Sequence, residues 1–202
     1  MDDVAIYPTV LAASTVNSHY TLSGRTSTIP TAPTDAYGNA VYQDGPDLYW
    51  RLDDATGTTA KDSGPANDPG VVSGTLTPKL NSAIGGTGSS FGFNGQDSLI
   101  ASSQAVSNPT VYTVETWFKT TTTQGGKIIG FGDSQTGLSS GYDRHVYMQN
   151  DGKLVFGTYT GQLNTATSSA SYNDGAWHYL VATQSSAGMQ LYVDSTLVAT
   201  NP

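Results

Sequence analysis

The chain has 202 residues, with eight Lys plus Arg against 16 Asp plus Glu, a net charge of −8, and no Cys. So few basic groups exclude a phosphate-backbone binder, no apolar run is long enough for membrane insertion, and the missing thiols exclude disulfides, zinc–thiolate sites and Cys nucleophiles. Thr (28) and Ser (22) supply 50 positions while Lys, Glu and Arg are scarce, which favours strands over helices.

In chain order, Val4–Tyr7 reads as a short strand stopped by Pro8. Val10, Leu11, Val16 and Tyr20 then have an imperfect helical spacing that predicts a short helix near 12–20, with Gly24 ending the unit. Residues 25–45 are rich in Thr, Pro and Gly and read as a linker or surface-hugging loop. Leu48–Leu52 reads as a strand and 53–72 as a loop. Ser90–Phe93 and Ser98–Ala101 flank Asn94-Gly95, a hairpin signal. From Tyr112 to Thr120 the residues alternate, with Tyr112, Val114, Thr116 and Phe118 on one side. Strands follow at Gly126–Gly132, at Arg144–Gln149 and Lys153–Tyr159 around Asn150-Asp151-Gly152, and at Trp177–Thr183, Met189–Val193 and Thr196–Thr200. Strands at fairly regular spacing without a long helix imply an antiparallel sandwich or barrel.

Five motifs carry a family resemblance. They are Leu48-Tyr49-Trp50-Arg51-Leu52-Asp53-Asp54 with the loop to Gly64, then Phe93-Asn94-Gly95 before Asp97 and Leu99-Ile100, then Tyr112–Lys119 with its Val-Glu-Thr-Trp core. The last two are Asp174-Gly175-x-Trp177-His178 and Leu191-Tyr192-Val193-Asp194. In this order they resemble laminin-G-like domains of the concanavalin A-like lectin/glucanase group. The resemblance implies an all-β fold, an antiparallel two-sheet jelly-roll sandwich, with one short helix near the N-terminus. It covers 46–202, a jelly roll lacking its last strands. Residues 1–24 resemble the closing strand and short helix of the same family, with Met1 at a normally apolar position and Ala12 and Thr15 where a capping box is expected. Three organisations are open: a slice out of phase through a tandem array, a circular permutant closed by 1–24, or a fragment cut elsewhere than at a domain boundary. An unclosed sheet edge recruits strands, so self-association through residues 1–24 is expected as one outcome.

Hard oxygen ligands suited to calcium cluster in the loop Asp62-Ser63-Gly64-Pro65-Ala66-Asn67-Asp68. Asp62, Asn67 and Asp68 are the candidate metal residues, and a network of Asx turns is the alternative. The resembling domains sometimes bind calcium here, but Pro65 and Ala66 depart from their pattern. Catalysis is not expected: Glu115 is the sole Glu, no second carboxylate stands near it on its strand, and there is no Gly-x-Ser-x-Gly. His178 reads as structural. For a glycan or cell-surface ligand, Tyr142 and Tyr159 near loops are candidate platforms, with Arg144 and Asp133 as polar contacts. Trp50, Trp117 and Trp177 are expected in the core. The expected function is a non-enzymatic extracellular adhesion or carbohydrate-binding module of a multidomain surface protein. The alternatives are a virion, phage-tail or fibre assembly subunit using strand donation, and an enzyme's accessory domain.

Overall fold

The computed structural model describes residues 2–86 and 88–202. Met1, and with it the first position of the expected closing segment, lies outside the described residues. The chain divides into two compact units, one of Met1–Asn94 with Ser98–Gln104 and one of Gly95–Asp97 with Ala105–Pro202.

In the first unit, helix α1 spans Ala13–Leu22, close to the predicted 12–20. Its N-cap is Ala12, which makes no side-chain cap hydrogen bond, as the missing capping box implies. The expected strand at Val4–Tyr7 is not formed. These residues precede α1 without pairing; Ile6 is 93% exposed, and only Tyr7 finds a ring, that of His19 at 6.2 Å. Two isolated apolar side chains with no sheet face beneath them cannot hold a strand.

The linker reading of 25–45 is corrected by helix α2, Ala36–Gln43. Asp35 caps it, its Oδ1 accepting from Gly38 N at 2.8 Å, while Oδ2 pairs with Arg51 Nη1 at 2.7 Å. The Gly38 N–H, and after it Arg51, hold the Asp35 carboxyl below the usual range. Tyr42 is buried and donates its hydroxyl to Pro30 O at 3.1 Å. One cap, one buried ring and one ion pair outweigh the weak intrinsic helicity of this stretch.

The expected strand at Leu48–Leu52 is reduced to an isolated bridge, Trp50 to Asp62. Tyr49 N is taken by the Asp62 side chain, and Leu52 is left-handed at φ 57°, which breaks an extended run. Two small antiparallel pairs follow. Strand β1 (Gly70–Ser73) pairs with β4 (Leu99–Ser102), and β2 (Leu76–Leu80) pairs with β3 (Ser90–Phe93). So β3 and β4 do not form the hairpin expected around Asn94-Gly95. Asn94 and Ser98 close a local turn, Asn94 Oδ1 accepting from Ser98 N at 3.2 Å, and each strand takes an earlier partner.

The second unit holds two four-stranded antiparallel sheets. One is ordered β12-β11-β10-β5, built from β5 (Tyr112–Lys119), β10 (Trp177–Ser185), β11 (Gly188–Val193) and β12 (Thr196–Asn201). The other is ordered β6-β7-β8-β9, built from β6 (Gly126–Gly132), β7 (Tyr142–Met148), β8 (Lys153–Tyr159) and β9 (Leu163–Ser171). Alternate residues of both sheets meet in one core, in which Phe156, Leu154, Val146, Leu180 and Leu191 are fully buried. Tyr112, Val114 and Phe118 pack against it, matching the predicted face of β5. Gly152, at φ 85°, makes the β7–β8 hairpin, with Gln149 N donating to Lys153 O at 2.8 Å.

Strand β9 was not expected. Its sequence, Leu-Asn-Thr-Ala-Thr-Ser-Ser-Ala-Ser, has almost no apolar alternation. It is held by pairing with β8, by buried Ala166, and by Ser168, whose Oγ accepts from Leu154 N at 2.9 Å and donates to Ala170 O at 2.8 Å.

Candidate functional site

At one end of the second unit, where β7 begins and β8 ends, the chain makes a knot around Asp143. Its Oδ1 accepts from Arg144 N and from Tyr159 N, both at 2.6 Å, and its Oδ2 pairs with Arg144 Nη1 at 2.5 Å. Arg144 Nε donates to Pro109 O at 2.8 Å. Arg144 is left-handed at φ 48°, and the β6–β7 register shifts between Gly130 and Phe131. This bulge changes the side on which the next residues project.

As a result three rings run together along β7. Tyr142 lies 5.4 Å from His145, and His145 lies 5.5 Å from Tyr147. His145 and Tyr147 alternate with core residues Val146 and Met148, so they project from the opposite side of the sheet. Tyr159 alternates with Thr158, whose Oγ1 faces Met189 of the core. Tyr142 and Tyr159 are 62% and 61% exposed. Further in, burial and then the neighbouring Lys127 charge lower the His145 pKa. Burial also lowers the pKa of Lys127, which donates from Nζ to Phe131 O at 3.1 Å.

Of the four residues expected to bind a ligand, the two tyrosines are exposed beside one another's strands, while the two polar residues are engaged in holding loops. Asp133 accepts from Ser140 N, Ser140 Oγ and Gly141 N at 3.0, 2.9 and 2.8 Å, closing the loop from 133 to 141. The Gly141 N–H and then Ser140 hold its carboxyl below the usual range. Arg144 is committed to Asp143 and Pro109. His145 and Tyr147 were missed in the sequence, since only the bulge aligns them with Tyr142.

The candidate calcium residues lie in the first unit. Asp62 Oδ1 accepts from Tyr49 N and Gly64 N at 2.9 and 2.8 Å, and Oδ2 from Asp68 N at 2.7 Å. Asp68 Oδ1 accepts from Ser103 N at 2.9 Å, from Ser103 Oγ, and from Gln104 N at 3.1 Å. Asn67 is left-handed at φ 56°. Both carboxylates are buried and face hydrogen-bond donors, which compete with a cation for the same lone pairs. Among the described residues, no group of three or more His, Asp or Glu is placed to hold a metal ion. Of these bonds only Asp62 Oδ1 to Gly64 N has the two-residue span of an Asx turn; the others tie the loop to Tyr49, Ser103 and Gln104 or close it on Asp68 N.

Glu115 accepts from the Tyr179 hydroxyl at 2.6 Å, and its cross-strand partner is Val181. The expectation of three core tryptophans is corrected: Trp50, Trp117 and Trp177 are all half-buried. Trp117 and Trp177 alternate with core-facing Phe118 and with His178, so they lie on the outer side of their sheet. Trp117 stacks at a tilt of 31° on Tyr179, 5.1 Å away.

Comparison with known proteins agrees with this architecture. A family model described as the concanavalin A-like lectin/glucanases superfamily matches residues 93–202, more than half of the chain. No curated protein matches it. Among solved structures it is similar to residues 221–444 of an S-layer domain-containing protein from Clostridium thermocellum. That similarity is 22% identity and a TM-score of 0.43, covering 76% of this chain and 71% of that one. Two antiparallel sheets closed on a shared core, together with the family match over 93–202, place the chain in the concanavalin A-like lectin/glucanases superfamily.

Proposed function

We propose that this chain is a non-enzymatic carbohydrate-binding or adhesion module of an extracellular or cell-surface protein. The supporting observation is the exposed pair Tyr142 and Tyr159, set on adjacent strands by the Asp143 knot. A pyranose ring stacks its C–H face on an aromatic ring and hydrogen-bonds at its edge, which a tyrosine ring and hydroxyl can both serve. Glu115 has no second carboxylate opposite it to complete an acid–nucleophile pair.

A glycan array tests this reading. The expected result is binding to at least one glycan, with Tyr142→Ala and Tyr159→Ala each weakening it by roughly two- to tenfold, the scale of one aromatic contact. Binding to no glycan, or variants that bind as the parent does, rejects it.

A second reading is assembly through the N-terminal segment. Val4, Ile6 and Val10 are 73%, 93% and 98% exposed, an apolar row suited to strand addition on another copy. Sedimentation of the parent against Val4→Asp/Ile6→Asp tests it: an oligomer dispersed by the variant supports assembly, and a strict monomer removes it.

A further inference from the structure

At the end of the sandwich opposite Tyr142 and Tyr159, His178 at the start of β10 lies between two carboxylates. Its Nδ1 is 2.8 Å from Asp194 Oδ2 and its Nε2 is 3.1 Å from Asp174 Oδ1. The imidazole is buried, whereas the Asp194 and Asp174 side chains are 49% and 61% exposed. Phe118 of β5 lies 5.7 Å from the imidazole, and Tyr172, just after β9, meets it edge-on at 5.1 Å. The ionisable groups facing His178 are therefore Asp174, Asp194 and Tyr172. Lys119, next to Phe118, projects from the other side of β5, opposite Trp177.

We propose that His178, Asp174 and Asp194 form a proton-operated clasp that holds closed this end of the sandwich. Both ring nitrogens face an acceptor, and only the imidazolium has two N–H groups. Loss of one proton leaves a nitrogen lone pair facing a carboxylate oxygen, so one of the two bonds must open.

Asp194 is the partner that stays. Its Oδ1 accepts from Tyr179 N at 2.9 Å, its own N donates to Tyr179 O at 2.9 Å, and it sits in the tight β11–β12 turn at φ 50°. Asp174 has one other hydrogen bond, from Ala176 N at 2.8 Å, and it lies on an exposed turn. That turn ties its neighbours together. Asn173 Nδ2 donates to Thr122 O at 2.8 Å, Gly175 N to Thr120 O at 3.0 Å, and Tyr172 N to Gly152 O at 2.9 Å. Release of Asp174 thus loosens the β5–β6 loop and the β7–β8 hairpin at once. The clasp is closed when His178 is charged and opens on the alkaline side. Burial alone would lower the imidazole pKa, but the hydrogen bonds and charges of Asp194 and Asp174 outweigh it and raise the value.

The test combines an NMR titration of His178 with amide protection factors measured across the same pH range. The expected result is a midpoint above that of a free imidazole. Protection at Gly175 and Ala176 should fall roughly tenfold as the proton leaves, the worth of one hydrogen bond to a charged group. Protection at Val155 and Phe156 should stay constant. Asp174→Asn, on an exposed turn, should lower the midpoint and abolish the change at Gly175. An ordinary or depressed midpoint overturns the proposal. So does protection at Gly175 that is flat through the titration, or a fall that extends equally to Phe156.

Discussion

The backbone N–H of Tyr159 is bound to the carboxylate of Asp143 at 2.6 Å, so a side chain of β7 fixes where β8 ends. The same carboxylate holds Arg144 in its left-handed conformation and pairs with its guanidinium. Asp143→Ala should therefore act in two ways. It leaves the half-buried Arg144 charge without its partner, and chemical denaturation should show a loss of about 2–3 kcal/mol. It also frees Tyr159, so glycan affinity should fall even though neither tyrosine is altered. Asp143→Asn keeps one acceptor oxygen and should retain part of both. Equal stability of parent and Asp143→Ala in a denaturant titration would remove the knot from the account.

The Asp62–Asp68 loop leads to an expectation about calcium. A cation must displace N–H donors that already point at the carboxylates. Added millimolar calcium, or EDTA, should leave the melting temperature unchanged. Asp68→Ala should cost about 1–2 kcal/mol, because the Ser103 hydroxyl and Gln104 N lose this acceptor while Ser103 N keeps Pro69 O at 3.2 Å. A melting temperature that rises with calcium, and a rise lost in Asp68→Ala, would instead make this loop a metal site.

How much of this was legible in the sequence depended on what held each element. Strands β5, β7, β8, β10 and β11 advertise themselves, since their apolar residues alternate and turns such as Asn150-Asp151-Gly152 separate them. Strand β9 was not legible because its stability comes from pairing and from Ser168, not from an apolar row. Helix α2 was hidden in a Pro- and Gly-rich stretch, and only the Asp35 cap could have revealed it. At the site, Tyr142 and Tyr159 could be singled out by their place near loops. Arg144 and Asp133 were expected as polar contacts, and one sequence cannot show that Pro109 O and Gly141 N already engage them.

Gly38 makes the α2 contact directly testable. A methyl group there would sit 1.9 Å from Arg51 Nη1 and 2.6 Å from Pro33 Cβ. Arg51 can swing aside, but only by leaving Asp35, and Pro33 cannot move as cheaply. Gly38→Ala should therefore destabilise the first unit by about 1–2 kcal/mol, despite the better helix propensity of Ala. Thermal unfolding followed by circular dichroism measures this; an unchanged or higher melting temperature would mean that the Asp35–Arg51 pair contributes nothing.

The pH dependence of stability should have two shoulders of opposite origin. His178 has its folded pKa raised above the ordinary value of 6.5. Its contribution is complete below that value and is lost as pH rises through the folded pKa. Asp194 and Asp174 have folded values below the ordinary 3.8. For Asp194, burial opposes the shift, and the bonds from His178 and Tyr179 N outweigh it. For Asp174, the Ala176 N–H comes first and His178 second. The carboxylate contribution is complete above the ordinary value and is lost as pH falls through the folded ones. Stability should thus be greatest between the ordinary carboxylate and imidazole values and should decline on both sides. Replacing His178 with Gln should remove the alkaline shoulder and weaken the acid one, because both aspartates lose their charged partner. Urea midpoints measured from pH 3 to pH 9 on parent and variant decide it: an alkaline decline of equal size in the two proteins would assign that shoulder to some other group.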